Sequence, residues 1–270
     1  MDAAAVPVLL CALAILAGLA VARRGAFLRM HWRPDRDVAA AVGTGLLAVA
    51  FSAAILLAPE QGVAARLLHF VGIYGVCGGL LPWLWVTRVE RRGASALGIT
   101  RERLGLSLAI GLGAGALLFS RVVTGSDLAS VDPRYFALAS YSLLAGGLFE
   151  LFLYYGFLHL RLERAFGPLP AVVGSAAVYS LWHVGTELPM HPEPWSALAL
   201  LFAVGLLYHA FFQITHNLAS IWPFFFFGGV WIDFGVNLGF PPEIARSPGW
   251  VTLSLSILLA SPALLSWTRR

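Results

Sequence analysis

The sequence predicts an all-α, polytopic transmembrane helix bundle of about eight to nine spanning helices, and three observations carry that prediction. Of 270 residues, 59% are hydrophobic and 12% are charged, where a soluble domain would carry roughly 25% charged residues. Apolar runs of about 20 residues, the length that crosses a bilayer, recur from end to end. The cations also alternate from loop to loop. No lysine is present, so all 18 are arginines.

The spans fall at roughly 3–22, 38–58, 67–87, 105–123, 135–159, 170–186, 196–214, 219–240 and 250–267. Asp2 stands where a cleaved leader would carry a positive charge, and Arg23 and Arg24 follow the first apolar stretch. That order predicts a retained first helix with its N-terminus outside. On nine crossings, five arginines fall in segment 23–36, five in 88–103, two in 161–164 and two at the C-terminus. The opposite side keeps only Arg66, Arg121, Arg134 and Arg246. Positive charge collects on the cytoplasmic side, so this bias predicts a multi-pass protein with a cytoplasmic C-terminus, and the bacterial plasma membrane is its expected location.

The chain is expected to be a single membrane domain over 1–270. Its net charge of +4 fits orientation and headgroup contact, and no basic patch interleaved with aromatics argues for nucleic acid. Membrane lipid is the expected partner. Cys11 and Cys77 fall inside spans, where they behave as small hydrophobes, so neither a disulfide framework nor a cysteine zinc site is expected. The Phe224 to Phe227 run is read as facing lipid or neighbouring helices.

Ionisable groups inside the membrane are costly, so function is sought among them. Among 14 acids only Glu150 and Asp233 sit well inside spans, and among seven histidines only His183 and His209 do. His69 and His159 fall near span ends, and His31, His191 and His216 in loops or at interfaces. Glu150 and His183 lie roughly 15 and 20 Å from the same membrane face at about 1.5 Å per residue. Antiparallel neighbours joined by the short 161–169 turn would therefore bring a carboxylate and an imidazole together near mid-membrane. Such a pair can poise a general base for activating water. The plainer alternative is a hydrogen-bonded core acid beside a packing histidine.

Three motifs then resemble one family. Gly147-Leu148-Phe149-Glu150-Leu151-Phe152-Leu153-Tyr154-Tyr155-Gly156 resembles the Glu-Glu-x-x-x-Arg-Gly motif of the CPBP intramembrane proteases, which include CAAX proteases and bacteriocin-processing proteins. Tyr179-Ser180-Leu181-Trp182-His183 is similar to their Phe/Tyr-x-x-x-His. Ser220-Ile221-Trp222-Pro223 is similar to the Ser-Leu-Trp-Pro that opens their last core helix. The resemblance implies a CPBP-like core over 135–240 preceded by accessory helices over 1–125. It also implies an intramembrane endopeptidase that cleaves a hydrophobic or prenylated peptide. Glu150 takes the place of the catalytic base and His183 that of its assistant.

Departures from the pattern are specific. Leu151 replaces the second glutamate and Tyr155 the arginine, so the usual orienting salt bridge cannot form, although Tyr155 can donate a hydrogen bond. Past Pro223, Gly228 and Ile232, or Gly229 and Asp233 with a shift of one, replace the family's His-x-x-x-Asn. Oxyanion donors are worth about 3 kcal/mol each, so the ordinary proteolytic mechanism is impaired unless another donor substitutes, and His209 with Gln213, one turn apart, offers one. Tyr155, Tyr179, His209 and Asp233 are the candidate supporting residues; the alternatives for His209 and Asp233 are interhelical hydrogen bonds. His216 and Asn217 offer a second pair, at the cytoplasmic turn.

No cofactor is expected. Glu150, His183 and His209 would make an oxygen–nitrogen set for zinc, and His183 with Glu187 has i, i+4 spacing, but no His-Glu-x-x-His occurs. Two other function classes stay open: a catalytically degenerate relative acting in binding, immunity or maturation, and a small-molecule or ion transporter using Glu150, His183 and Asp233 as a proton relay.

Overall fold

A computed structural model describes residues 5–23, 25–58, 62–125, 132–186 and 193–227. Asp233, His191, Gly228, Gly229 and Ile232, most of the eighth expected span and all of the ninth lie outside the described residues. Within the described residues the chain is all-helical, with no strand.

Seven helices cover the first seven expected spans. They are α1 (Ala5–Ala22), α2 (Arg36–Ile55), α3 (Val63–Val89), α4 (Leu104–Gly125), α5 (133–166), α6 (Pro168–Trp182) and α7 (Pro194–Thr215). Of these, α2, α3 and α7 are long and apolar enough to cross a membrane by length and composition. Shorter apolar helices occupy Val8–Ala22, Leu104–Ala116 and Leu218–Phe227.

Local chemistry sets the helix ends. Asp35 caps α2 by accepting from the amides of Asp37 and Val38 at 3.0 and 2.9 Å. Asp132 caps α5 through the Arg134 amide at 2.9 Å. Both satisfy amides that a helix start leaves open. Pro133, Pro168 and Pro194 occupy first-turn positions, where the missing N–H costs nothing.

The core sits around α7. In its most apolar window 78% of residues are buried, against 33% for α2 and 22% for α3. Helix α7 packs between α1 and α6, while α2 lies against α3 and α5. Large apolar side chains such as Leu10, Leu57, Val63 and Trp83 are left exposed. An outward face of this kind suits lipid tails. Phe224 is buried and meets Tyr208 and Phe211 at 5.0 and 5.3 Å, so it faces neighbouring helices.

The four arginine-rich or polar turns meet at one end of the bundle. His31 and Arg33 amides donate to Phe166 and Ala165, Arg164 pairs with Asp37 at 2.7 Å, and Asn217 donates to the Thr100 and Glu102 carbonyls. Arg161 differs from the expected headgroup contact. It is 3% exposed and paired at 2.7 Å with an equally buried Glu90. Its guanidinium also donates to the Ala96 and Gly156 carbonyls and lies over the Phe157 ring.

Two positions in α5 bear directly on the site. From Phe152 to His159 the helix adopts wider π-helical turns, a departure that often accompanies functional sites. Gly156 follows the first motif because the Leu97 backbone approaches so closely that a Cβ would collide with it.

Candidate active site

Helices α5 and α6 run antiparallel across the short turn at Gly167, and each supplies one of the two principal candidates. Glu150 on α5 is 5% exposed and His183, just past α6, is 3% exposed. Tyr154, one turn after Glu150, meets Tyr179 edge-on at 5.7 Å and stacks near Trp182 at 6.2 Å. Trp182 and Tyr179 in turn contact the His183 ring at 4.3 and 4.8 Å. The two motifs therefore share one buried aromatic core, and Glu150 lies within electrostatic range of the Tyr154 and Tyr155 hydroxyls.

Helix α6 stops at Trp182, and His183–Gly185 form a 3-10 turn. Glu187, the i+4 partner expected for His183, lies outside the described residues. Gly185 is held where its amide donates to Ser52 Oγ at 2.9 Å. The His183 Nδ1 faces the Tyr179 carbonyl at 2.8 Å. A carbonyl only accepts, so Nδ1 carries the proton, and in the neutral ring Nε2 becomes the basic nitrogen.

Tyr155 stands at the junction of the candidate residues. It is fully buried, lies 6.5 Å from the Tyr179 ring and stacks on His209 at 4.2 Å. At the position of the family's arginine it therefore offers an aromatic face to a histidine. Leu151 is fully buried in the apolar core, a site that would strongly penalise an unpaired second carboxylate.

The structure places His209 one layer away from His183. Its ring neighbours are Tyr155 and His159, and its Nδ1 bonds His159 Nδ1 at 3.0 Å. Gln213, one turn on, also reaches His159, at 2.8 Å, so the expected one-face pair exists and is built around a third residue. Among the described residues no three His, Cys, Asp or Glu side chains gather to hold a metal.

Sequence reasoning placed His159 only at a span end, and it passed over Glu163. The i, i+4 spacing of the two on α5 was the available signal. Glu163 accepts from Gln213 at 2.9 Å and from His216 Nε2 at 2.9 Å. Burial pushes its carboxyl up, but the hydrogen bonds it accepts, from His216 Nε2 above all, more than offset this and hold it well below the usual carboxylate range. His69 was likewise passed over. Its ring lies 6.3 Å from Trp182.

Several buried donors in this region have no hydrogen-bond partner among the described residues: the hydroxyls of Tyr154 and Tyr155, Trp182 Nε1 and His209 Nε2. Buried polar groups are normally paired. A separate groove of about 290 Å³ opens between α2 and α3 and is lined by Thr44, Leu81, Trp85 and Phe157 among others. None of the candidate residues lines it.

Apolar helices of membrane length around a buried carboxylate and imidazole define an integral membrane protein with a polar site inside its bundle. Residues 132–231 match the family described as Rce1-like, type II CAAX prenyl endopeptidase Rce1-like. The match supports the CPBP resemblance over that segment, which holds Glu150, Tyr155, Tyr179, His183 and His209. No curated protein and no solved structure matches it.

Proposed function

We propose that this protein is an intramembrane endopeptidase that hydrolyses a hydrophobic or lipidated peptide, with Glu150 as general base and His183 as its assistant. The observation that carries the reading is the shared aromatic core that buries both residues within the family-matched segment. Glu150 takes a proton from water as the oxygen attacks the scissile carbonyl. The C–N bond then breaks and the leaving amine receives a proton, with His183 Nε2 suited to hold or pass it. Buried donors nearby stabilise the developing oxyanion. No step calls on a cofactor.

The 135–240 region acts as the catalytic core and 1–125 as accessory helices. Nine crossings with a cytoplasmic C-terminus put the arginine-rich end in the cytoplasm. Substrate enters from the lipid phase, as the apolar exterior favours.

Glu150→Gln is the direct test, because it keeps size while removing the basic carboxylate. Purified variant and parent are compared on a prenylated reporter peptide by chromatography of the cleaved product. Loss of at least about a hundredfold is expected for a general base. Unchanged cleavage would reject the reading.

A further inference from the structure

A line of hydrogen bonds runs from the end of α1 into the core, and the chemistry of its first member sets the direction of every bond. The Arg23 guanidinium has donors only. It reaches Gln213 Oε1 at 2.9 Å and also the Gln213 backbone carbonyl. The amide oxygen is thereby fixed as the acceptor, which leaves the NH2 to face Glu163 Oε2 at 2.9 Å and His159 Nε2 at 2.8 Å. A flipped amide would set NH2 against the guanidinium and oxygen against the carboxylate.

His159 Nε2 must then accept. The Glu163 oxygen lies 3.6 Å from that nitrogen, beyond hydrogen-bond reach. The His159 proton consequently sits on Nδ1 and is donated to His209 Nδ1 at 3.0 Å. That leaves His209 protonated on Nε2. This atom is fully buried without a partner among the described residues, on a ring stacked against Tyr155, whose hydroxyl is also unpartnered.

We propose that Arg23 is a positioning residue which, through Gln213 and His159, holds His209 in its Nε2–H tautomer and so presets a hydrogen-bond donor beside Tyr155 for a carbonyl oxygen of the peptide substrate. The identity of the acceptor rests on the hydrolase reading; the tautomer does not. Arg23 lies far outside residues 132–231, so the first helix takes part in the site. His183 and His209 then hold opposite tautomers, one presenting a basic nitrogen and the other a donor.

The test is ¹⁵N-histidine NMR of the full chain in detergent at mildly alkaline pH, with His159→Gln and His209→Gln to assign the two rings. His209 is expected to be protonated at Nε2 and His159 at Nδ1. Arg23→Met should yield mixed tautomers at both rings and lower kcat about tenfold with little change in KM, a partial loss of an oxyanion donor. Arg23→Lys, which restores a donor to Gln213 Oε1, should recover both. If Arg23→Met does not insert, Gln213→Met breaks the next link and carries the same expectation. An Nδ1–H tautomer at His209 in the parent, or unchanged spectra in Arg23→Met, would overturn the proposal. The expected tautomers in a parent that cleaves no peptide would support the positioning line while contradicting the hydrolase reading.

Discussion

Individual side chains at the arginine-rich end show how environment assigns a role. Glu163 is held below the ordinary carboxylate range against its own burial by the hydrogen bonds it accepts from His216 and Gln213. Its contribution to stability is therefore full above the unfolded carboxylate value of about 4.3 and lost as pH falls through the lower folded value. Thermal unfolding followed by circular dichroism in detergent should show stability falling in that acid window. Glu163→Gln should flatten the fall. Arg161 makes a different case, because removing one partner strands the other. Arg161→Ala leaves Glu90 buried and unpaired and should cost about 3–5 kcal/mol. A double change, Arg161→Met with Glu90→Leu, should recover most of that loss in the same assay.

Helices, in contrast with individual contacts, were largely legible in the sequence. Apolar length alone located α1 to α7, because in lipid each crossing must satisfy its own backbone and a run of about 20 apolar residues does so. Glu150 and His183 stood out for the same reason, as polar groups in apolar helices. What periodicity could not reveal was which faces meet. His159 looked like a span-end residue because its importance lies in partners fifty residues away, His209 and Gln213. Arg161 counted as a loop cation, yet the close approach of the segment at Leu97 to α5 encloses it. That approach gives a prediction at this scale. Gly156→Ala puts a methyl into the Leu97 backbone and should destabilise the protein by about 1–3 kcal/mol in thermal unfolding. Gly93→Ala, where nothing lies within 4 Å, is the matched control and should stay within about 0.5 kcal/mol.

At the scale of the whole molecule, a central helix links an arginine-rich end to a buried site. Reporter fusions in the Arg88–Arg103 segment should read cytoplasmic, and fusions near Trp195 should read external; the opposite result in either place would contradict the nine-span orientation. The central claim is that Glu150 and His183 act as one unit in peptide hydrolysis, and a double-mutant cycle on cleavage tests it most directly. Glu150→Gln and His183→Ala should each lower turnover by at least about a hundredfold, and the combined variant should lose little more, since groups that act together are non-additive. Losses that simply multiply in the double variant, or either single variant with the parent's turnover, would contradict it.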